Sequence, residues 1–260
     1  MSAFALTFLR TSSVLLDFDG FRVLTDPWFG RTMRGLPVFR RPGIALDALP
    51  RIDLVLASHL HRDHFDLDAV LTLAHADLSV VGTRGTAAHC RGLAAEVRDL
   101  SPWEVTEVGP LKLTATPAEH TGPPPAEVNY VLEWRGRRVF FGGDARWSPH
   151  YRAISERFPA LDLAILPIGG TLIFGHRTTM NPADAVRATG LLRPTFVVPI
   201  HEGGEWLPVP PASWHPGRNR HFVRDLALSG LPSIPVVVRP GERVMFHQAH
   251  VERGARCTGG

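Results

Sequence analysis

Three histidines and one aspartate lie within a six-residue stretch, at His59, His61, Asp63 and His64. They come directly after the apolar run 52–57, which the pattern predicts to be a buried strand that ends in a polar loop. Imidazole and carboxylate groups are the ligands that zinc prefers, and they also suit iron and manganese. His59 and His61 alternate and can bind one ion, whereas Asp63 and His64 can reach a second ion nearby. A lone His-x-His would indicate no more than a polar surface loop, but this denser cluster predicts a metal site.

Three further candidate ligands each follow a predicted strand: His120 after 111–116, Asp144 after 138–141, and His201 after 195–200. Taken singly, the first could lie on the surface, the second in a turn and the third in the core. Reactive sites are commonly built from loops at one edge of a rigid sheet. The shared position therefore predicts that these side chains meet those of the first cluster.

The composition is that of an ordinary globular protein. Of 260 residues, 44% are hydrophobic and 20% are charged, which is enough apolar material for a large core. The formal net charge is +3 and the arginines are scattered rather than gathered in a stripe, so we expect no nucleic-acid partner. Cys90 and Cys257 are too few and too far apart for a disulfide framework or a thiolate metal site.

Residues 1–11 lack the basic start and the sustained apolar core of a signal peptide. No apolar run approaches the roughly 20 residues that a membrane-spanning helix requires. We therefore expect a cytoplasmic location and no integral membrane association. We also expect one domain over 1–250 and a loose tail over 251–260. The sequence leaves the oligomeric state open and is compatible with a homo-oligomer.

The predicted elements fall into two similar halves, each with strands first and then alternating strands and helices. Asp19-Gly20 and Arg135-Gly136 separate short apolar segments and predict tight hairpin turns. Helical patterns cover 67–76 and 86–95, and Asn181-Pro182 predicts the start of a helix that runs to residue 192. This order predicts an α+β fold with two packed sheets and helices outside them, a four-layer αββα sandwich.

The segment 30–43 is predicted to be a loop, and it carries four arginines. A connection of this length is either functional or poorly ordered. Its arginines suit an anionic group of a substrate, although a solvated surface is an equally good explanation. We take Arg31 and Arg34 as candidate substrate contacts, together with Trp206 in the later glycine- and proline-rich segment.

The series HxHxDH, a later histidine, an aspartate after Gly-Gly and a last histidine at a strand end closely resembles the metallo-β-lactamase superfamily, over roughly residues 4–250. The resemblance implies the metallo-β-lactamase fold and a dinuclear site. It implies one ion held by His59, His61 and His120, a second held by Asp63, His64 and His201, and Asp144 as the bridge between them. We expect two divalent ions, Zn²⁺ in the first place, with Mn²⁺ or Fe also accepted by these ligands. The ions would activate a water molecule, and Asp63 would be the catalytic group that orients it and helps to move its proton.

Within that superfamily, Thr25-Asp26-Pro27, Pro167-Ile168-Gly169 and the run from Thr179 to Val186 resemble the branch that holds ascorbate-6-phosphate lactonase and N-acylphosphatidylethanolamine-hydrolysing phospholipase D. In the phospholipase a histidine directly precedes Met-Asn-Pro, whereas Thr179 stands there in this chain. The nearest imidazole is His176, which becomes a candidate substrate contact. The residues after His201 also depart from those relatives, so their substrates do not transfer to this chain.

We therefore expect a metal-dependent hydrolase, similar to a lactonase or phosphodiesterase. It would cleave an ester, lactone or phosphodiester bond of a small molecule, which is anionic if the loop arginines contact it. A metal-dependent nuclease is the first alternative, but such enzymes usually carry an inserted domain or a basic surface that this sequence does not indicate. A non-catalytic metal-binding sensor or partner protein is the second alternative. The complete ligand set argues against it.

Overall fold

The first half of the chain starts as an antiparallel meander and continues with strands that alternate with helices. The computed structural model describes residues 2–33, 35–93, 96–121, 127–203, 209 and 212–254. Up to residue 100 the elements are β1 (Phe4–Arg10), β2 (Ser13–Phe18), β3 (Phe21–Thr25), β4 (Thr32–Met33), β5 (Leu36–Pro37), a 3₁₀ helix (Leu46–Ala48), β6 (Leu54–Ala57), α1 (Leu67–Leu73), β7 (Ser79–Thr83), α2 (Thr86–His89) and β8 (Glu96–Leu100). The short ribbon of β4 and β5 lies within the segment 30–43, which the sequence predicted to be a loop.

The second half repeats this order. Its elements are β9 (Val105–Val108), β10 (Leu111–Pro117), β11 (Val128–Trp134), β12 (Arg137–Phe141), α3 (His150–Arg157), β13 (Leu163–Pro167), β14 (Leu172–Ile173), β15 (His176–Arg177), α4 (Pro182–Leu192), β16 (Phe196–Ile200), β17 (Ser213–Trp214), α5 (Asn219–Ser229), β18 (Ile234–Pro235), β19 (Arg243–Phe246) and β20 (Val251–Arg253). Both predicted hairpin turns are confirmed. Asp19 and Gly20 have φ of 58° and 93°, and Arg135 and Gly136 have φ of 46° and 79°, the positive values that two-residue hairpin loops require.

Most of these strands build two large mixed sheets. The eight-stranded sheet has the order β20-β19-β1-β2-β3-β6-β7-β8, and the seven-stranded sheet has the order β18-β16-β13-β12-β11-β10-β9. The strands β3, β6, β7 and β8 run parallel, as do β12, β13, β16 and β18. Parallel neighbours end at the same sheet edge, so the loops after β6, β12 and β16 are positioned to build a site.

Alternating side chains connect each sheet to two different cores. In β6, Leu54 and Leu56 belong to the core between the sheets, whereas Val55 packs in a cluster that includes α1. In β12, Phe141 faces the core between the sheets, whereas Phe140 packs with side chains of α3, α4 and α5. The layers are therefore helix, sheet, sheet and helix, and the predicted αββα sandwich is confirmed.

The helix predicted to begin after Asn181 is also confirmed, as α4. Oδ1 of Asn181 accepts from the backbone N–H of Asp184 at 2.8 Å, and Oδ2 of Asp184 accepts from the backbone N–H of Asn181 at 3.4 Å. This reciprocal capping box satisfies two backbone donors that the first turn of a helix leaves without partners. It fixes the direction of the chain directly after residues 178 and 179, which contact the site described below.

Some boundaries differ from those that the sequence predicted. α1 and α2 end at Leu73 and His89, before the ends of the predicted segments 67–76 and 86–95. α3 was not predicted, because its sequence is mostly polar and it buries only Tyr151 and Ile154. Val251–Arg253, at the start of the segment expected to be a tail, pair with β19 as an edge strand. Among the helices of the described ranges, none combines the length and apolarity that crossing a bilayer demands.

Candidate metal centre

Loops after four strands bring the candidate ligands together at one end of the two sheets. The loop after β6 carries residues 59–64, and the loops after β10, β12 and β16 carry His120, Asp144 and His201. The side chains of His64, His120 and His201 are almost fully buried, at 0%, 2% and 5% exposed, whereas His61 lies at the surface. Buried imidazoles and carboxylates need partners, so this cluster is built to hold a polar ligand or ion.

The first group consists of His59, His61 and His120. Nε2 of His59 lies 3.0 Å from Nδ1 of His61, and that Nδ1 lies 3.1 Å from Nε2 of His120. Two nitrogens that bind one tetrahedral zinc ion are about 3.3 Å apart, given Zn–N bonds of about 2.0–2.1 Å. The donor atoms all lie within 4.8 Å of one another, so the three imidazoles fit the ligand set of a single ion.

The second group consists of Asp63, His64 and His201. Nε2 of His64 lies 3.3 Å from Nε2 of His201 and 3.9 Å from Oδ2 of Asp63. These donor atoms also lie within 4.8 Å of one another. Two imidazoles and a carboxylate, all buried, are a second ligand set suited to zinc, manganese or iron.

Asp144 lies between the two groups. Its Oδ2 is 3.7 Å from Nε2 of His64 and 3.9 Å from Nε2 of His120, and its Oδ1 is 3.4 Å from Nε2 of His201. Burial by itself raises the pKa of Asp144, but the charges of His201, His120 and His64 outweigh burial and lower the pKa below its usual value. The carboxylate is therefore ionised and within reach of both ligand sets.

The first group favours neutral imidazoles. Burial, followed by the charges of the neighbouring histidines, lowers the pKa of His59 well below its usual value. Burial also lowers the pKa of His120 to about 4, although Asp144 acts in the opposite direction. Neutral imidazole is the form that binds a metal ion, so both side chains are available as ligands at neutral pH.

The second group favours positive charge. Burial lowers the pKa of His64, but the hydrogen bond to Asp26 and the charges of Asp63, Asp26 and Asp144 together raise it to about 10. The local field of three carboxylates therefore stabilises a cation at this place. A divalent ion would satisfy the same field, with His64 as a neutral ligand.

The orientation of His64 is fixed by Asp26, for which the sequence indicates no role beyond its place in the Thr-Asp-Pro motif. Nδ1 of His64 donates to Oδ2 of Asp26 at 2.8 Å, which leaves Nε2 for the centre of the site. Asp26 also accepts from the backbone N–H and the hydroxyl of Ser58, each at 2.7 Å. Carboxylates in this position hold the ring and raise its basicity in metal sites. We therefore assign Asp26 to orientation, although it too lies within 4.8 Å of the donor atoms of His59 and His64.

The buried carboxyl group of Glu127 braces the other side of the site, and the sequence contained no signal for it. Oε1 of Glu127 accepts from the backbone N–H of Asp144 at 2.7 Å, and Oε2 lies 3.4 Å from Nδ1 of His120. Burial, with the charge of Asp144, raises the pKa of Glu127 well above its usual value. Gly143 has φ of 50°, and a Cβ at that position would overlap Oε1 of Glu127 and Ser58. Gly143, the second glycine of the pair before Asp144, is thus required by the close approach of the backbone to Glu127 and Ser58.

Two threonines between β15 and α4 complete the cluster of orienting contacts. Nδ1 of His120 donates to the carbonyl oxygen of Thr178 at 3.2 Å, which leaves Nε2 for the first group. The hydroxyl of Thr179 donates to Oδ1 of Asp144. Thr179 is the residue that replaces the histidine of the phospholipase motif, so at this position the chain has a hydrogen bond to the candidate bridging ligand.

Of the candidate substrate contacts, Arg31 and His176 are not part of the cluster itself. Arg31 is exposed before β4, and His176 is exposed on β15, two residues before Thr178. Arg34 and Trp206 lie outside the described residues. In the same loop as Arg31, Nη1 of Arg40 lies 3.5 Å from Oε2 of Glu202, the neighbour of His201 in the chain. The segment 30–43 therefore comes close to the loop that carries a candidate ligand.

Comparisons with known proteins identify relatives of this chain. The family described as beta-lactamase superfamily domain matches residues 21–201. A metal-dependent hydrolase of Cupriavidus taiwanensis is 32% identical over 250 residues, with 86% of this chain and 80% of the relative covered. The N-acyl-phosphatidylethanolamine-hydrolyzing phospholipase D 1 of Caenorhabditis elegans is 29% identical over 225 residues, with 76% of this chain and 63% of the relative covered.

Among solved structures, Igni18, a metallo hydrolase of the archaeon Ignicoccus hospitalis, matches with a TM-score of 0.75 and 24% identity, and 95% of this chain and 99% of that chain are covered. This likeness shows the fold. The chain spans 62% of the length of the mycobacterial relatives that it matches at 31% identity. The family match covers most of the chain, and the predicted likeness to the phospholipase branch is confirmed by the relative from C. elegans. The chain therefore belongs to the metallo-β-lactamase superfamily.

Proposed function

We propose that this chain is a hydrolase that binds two divalent metal ions and uses them to activate water. The observation that carries the proposal is the position of Asp144, whose carboxylate oxygens lie 3.4–3.9 Å from imidazole nitrogens of both ligand groups. A carboxylate shared between two buried ligand sets suits a pair of ions. One set would consist of His59, His61 and His120 and the other of Asp63, His64 and His201, with Asp144 common to both.

Two such ions, when bound, lower the pKa of water toward neutrality and polarise the bond under attack. The residues of the chain hold the site in shape around that chemistry. Asp26 and Thr178 fix the rings of His64 and His120, and Glu127 fixes the backbone of Asp144. We propose Asp63 as the group that orients the attacking water and takes its proton, because it is the least buried carboxylate of the two ligand sets. Zn²⁺ is the ion we expect first, since histidine-rich sets with one carboxylate suit it well.

The substrate that we propose is a small molecule with an ester, lactone or phosphodiester bond. The support is the likeness to a phospholipase D, whose name states that it hydrolyses an N-acyl-phosphatidylethanolamine. The departures of this chain at Thr179 and after His201 fall near the site, so we do not propose that lipid itself. The arginines of the segment 30–43 favour a substrate with an anionic group, since Arg40 lies near the loop of His201.

The test is a hydrolysis panel on the purified protein with Zn²⁺, Mn²⁺ or Fe²⁺ added. The panel contains chromogenic esters, lactones, phosphodiesters and a single-stranded nucleic acid, with His61→Ala and Asp63→Asn as variants. We expect turnover of one small-molecule class that falls at least about 100-fold in both variants, in keeping with the loss of a metal ligand or a proton acceptor. Cleavage of the nucleic acid alone would favour a nuclease. Two bound ions without any cleavage that the variants lack would favour a sensor or partner protein.

A further inference from the structure

A small three-stranded sheet of β15, β14 and β17 stands beside the metal centre. At its base, the N–H of Thr178 donates to the carbonyl oxygen of Thr171 at 2.8 Å. Thr178 and the residue after it contact His120 and Asp144, as described above. At the other end, Phe174 and the glycine after it form the turn between β14 and β15. Three residue steps of extended chain, from Thr171 to Phe174, separate base and tip, or about 10 Å, which is within reach of a substrate that is bound at the metal centre.

The residue at the tip is unusual for its conformation. Phe174 has φ of 47° and is 71% exposed. Two-residue hairpin turns with positive φ prefer asparagine, aspartate or glycine at the first central position. A bulky aromatic residue at that position is strained. A ring that is mostly exposed gains little from packing in the folded chain. The turn requires the positive φ, but packing does not explain an exposed phenylalanine at this strained position, which points to a contact outside the fold.

The strand pairing shows which residues lie on each face of this sheet, because directly opposed residues share a face. One face carries Ile173, His176 and Ser213, together with Val209, which bridges to Ser213. The opposite face carries Leu172, Arg177 and Trp214. By alternation along the strands, Thr171 and His215 belong to the first face.

The first face is the one that looks toward the metal centre. Its base is buried, and Oγ1 of Thr171 lies 3.1 Å from Nδ1 of His215. Burial and the charge of His201 lower the pKa of His215 to about 4, while Asp144 and Asp63 act in the opposite direction. The loop after His201 packs against His215, since a Cβ added to Gly203 would lie 2.6 Å from the Cβ of His215.

The second face is turned away from the metal centre. Arg177 lines a cleft with Asn181 at the start of α4 and with His221 and Arg224 of α5, on the outer helical side of the molecule. Trp214 shares this face and is 47% exposed. It therefore offers a matched control for the aromatic ring at the tip.

We propose that Ile173 and Val209 on the first face, together with Phe174 at the tip, form an apolar wall beside the metal centre, and that the substrates carry an alkyl or aryl group next to the bond that is cleaved. This inference rests on the proposed function and narrows its substrate class. Phe174 and Val209 are 71% and 42% exposed, so a substrate group that covers them removes apolar surface from water. The wall is continuous with residues that hold two candidate ligands, which favours a substrate over a second copy of the chain as its occupant.

The test uses n-alkyl hydroxamic acids, from acetohydroxamic to octanohydroxamic acid, titrated calorimetrically into the zinc-loaded protein. The hydroxamate binds metal ions, and the alkyl chain samples the wall. We expect the Kd of the wild type to fall about two- to fourfold for each of the first few methylene groups. Phe174→Asn should flatten this dependence and leave the Kd of acetohydroxamic acid unchanged, and Trp214→Ser should keep the full dependence.

Folding does not confound the comparison, because asparagine favours the backbone conformation that Phe174 occupies. Val209→Ser should also weaken the dependence of Kd on alkyl chain length. The melting temperature of this variant shows whether it is folded. A wild-type series without chain-length dependence would overturn the inference, and so would equal losses in Phe174→Asn and Trp214→Ser. Self-association that Phe174→Asn abolishes, together with a flat series, would assign the ring to a contact between copies. If acetohydroxamic acid itself does not bind, the proposed metal centre fails and the inference fails with it, whereas its binding with a flat series overturns the inference alone.

Discussion

Asp26 and His64 form a fully buried pair, in which Oδ2 of Asp26 lies 2.8 Å from Nδ1 of His64. The two residues are 38 positions apart. Asp26 directly follows β3, and His64 lies in the loop after the neighbouring strand β6. The contact gives His64 one defined orientation, with Nε2 toward His201 and Asp144. Orientation of this ring thus depends on a carboxylate that does not belong to either proposed ligand set.

Asp26→Asn removes the charge from this pair and keeps its size. We expect zinc affinity at the second group to fall about 10- to 100-fold, the range found when such orienting contacts are lost, with little change at the first group. Competition with a chromophoric chelator measures both affinities. Asp19→Asn, at an exposed hairpin turn, is the control. Equal affinities in wild type and Asp26→Asn would show that Asp26 has no such role.

Metal binding should release a proton from His64. Its pKa is raised to about 10, so the ring carries a proton at pH 7 that a metal ligand cannot keep. We expect about one proton per chain from this residue, seen as an apparent binding enthalpy that depends on the ionisation enthalpy of the buffer.

The raised pKa of His64 also makes the stability of the chelator-treated protein depend on pH. The pKa of His64 in the folded protein lies above the unfolded value near 6.5. The stabilisation of the folded state by the protonated ring is therefore complete below pH 6.5 and is lost as the pH rises through 10.

A binding enthalpy that is the same in phosphate and Tris buffers would contradict the protonated state of His64. Asp26→Asn should reduce the proton release, because the hydrogen bond from His64 is the largest contribution that raises its pKa. His176→Ala should leave the release unchanged, since that exposed side chain lies outside the cluster.

Glu127 should matter for stability as an acceptor rather than as a charge. Glu127→Ala leaves the backbone N–H of Asp144 without its partner, and we expect the free energy of unfolding to fall by about 1–3 kcal/mol. Glu127→Gln retains an acceptor oxygen and should cost less, because burial already raises the pKa of this group and favours its neutral form. Urea denaturation of the chelator-treated proteins measures the difference. A cost for glutamine as large as that for alanine would show that the charge itself is needed.

Gly143→Ala tests the close approach of the backbone to Glu127 and Ser58. The new Cβ would overlap both residues, and φ of 50° disfavours any side chain. Gly136→Ala is a matched control, since φ is 79° there but no atom lies within 4 Å of an added Cβ. Backbone strain alone costs about 1–3 kcal/mol, so the unfolding free energy of Gly143→Ala should fall well below that of the control. Equal losses would mean that the site tolerates the extra methyl group.

The sequence was sufficient for the layers of the fold, because its signals are local. Apolar runs such as 195–200 predicted buried strands, and Asp19-Gly20 and Asn181-Pro182 predicted a turn and a helix start. The helix α3 was not predicted from the sequence, because only two of its side chains, Tyr151 and Ile154, are buried in an otherwise polar segment. The strand β20 was not predicted either, because this edge strand forms by pairing with β19 and its own residues carry no strand pattern.

The candidate ligands could be predicted from spacing, but the residues that orient them could not. Asp26 and Glu127 reach His64 and Asp144 across 38 and 17 positions of chain. Glu127 stands in no pattern of its own, and the Thr-Asp-Pro motif of Asp26 does not indicate the contact with His64. Thr178 acts through its carbonyl oxygen, which any residue type supplies. Contacts of this kind depend on the packing of the two sheets, so they emerge from the three-dimensional fold alone.

The number of metal ions per chain tests the central claim most directly. Wild-type protein, loaded with zinc and dialysed against metal-free buffer, should retain about two ions per chain by inductively coupled plasma mass spectrometry. Asp144→Ala removes the carboxylate between the two groups and should lower that number to one or below. Retention of no more than one ion by the wild type, or two by Asp144→Ala, would contradict a site built around a shared Asp144.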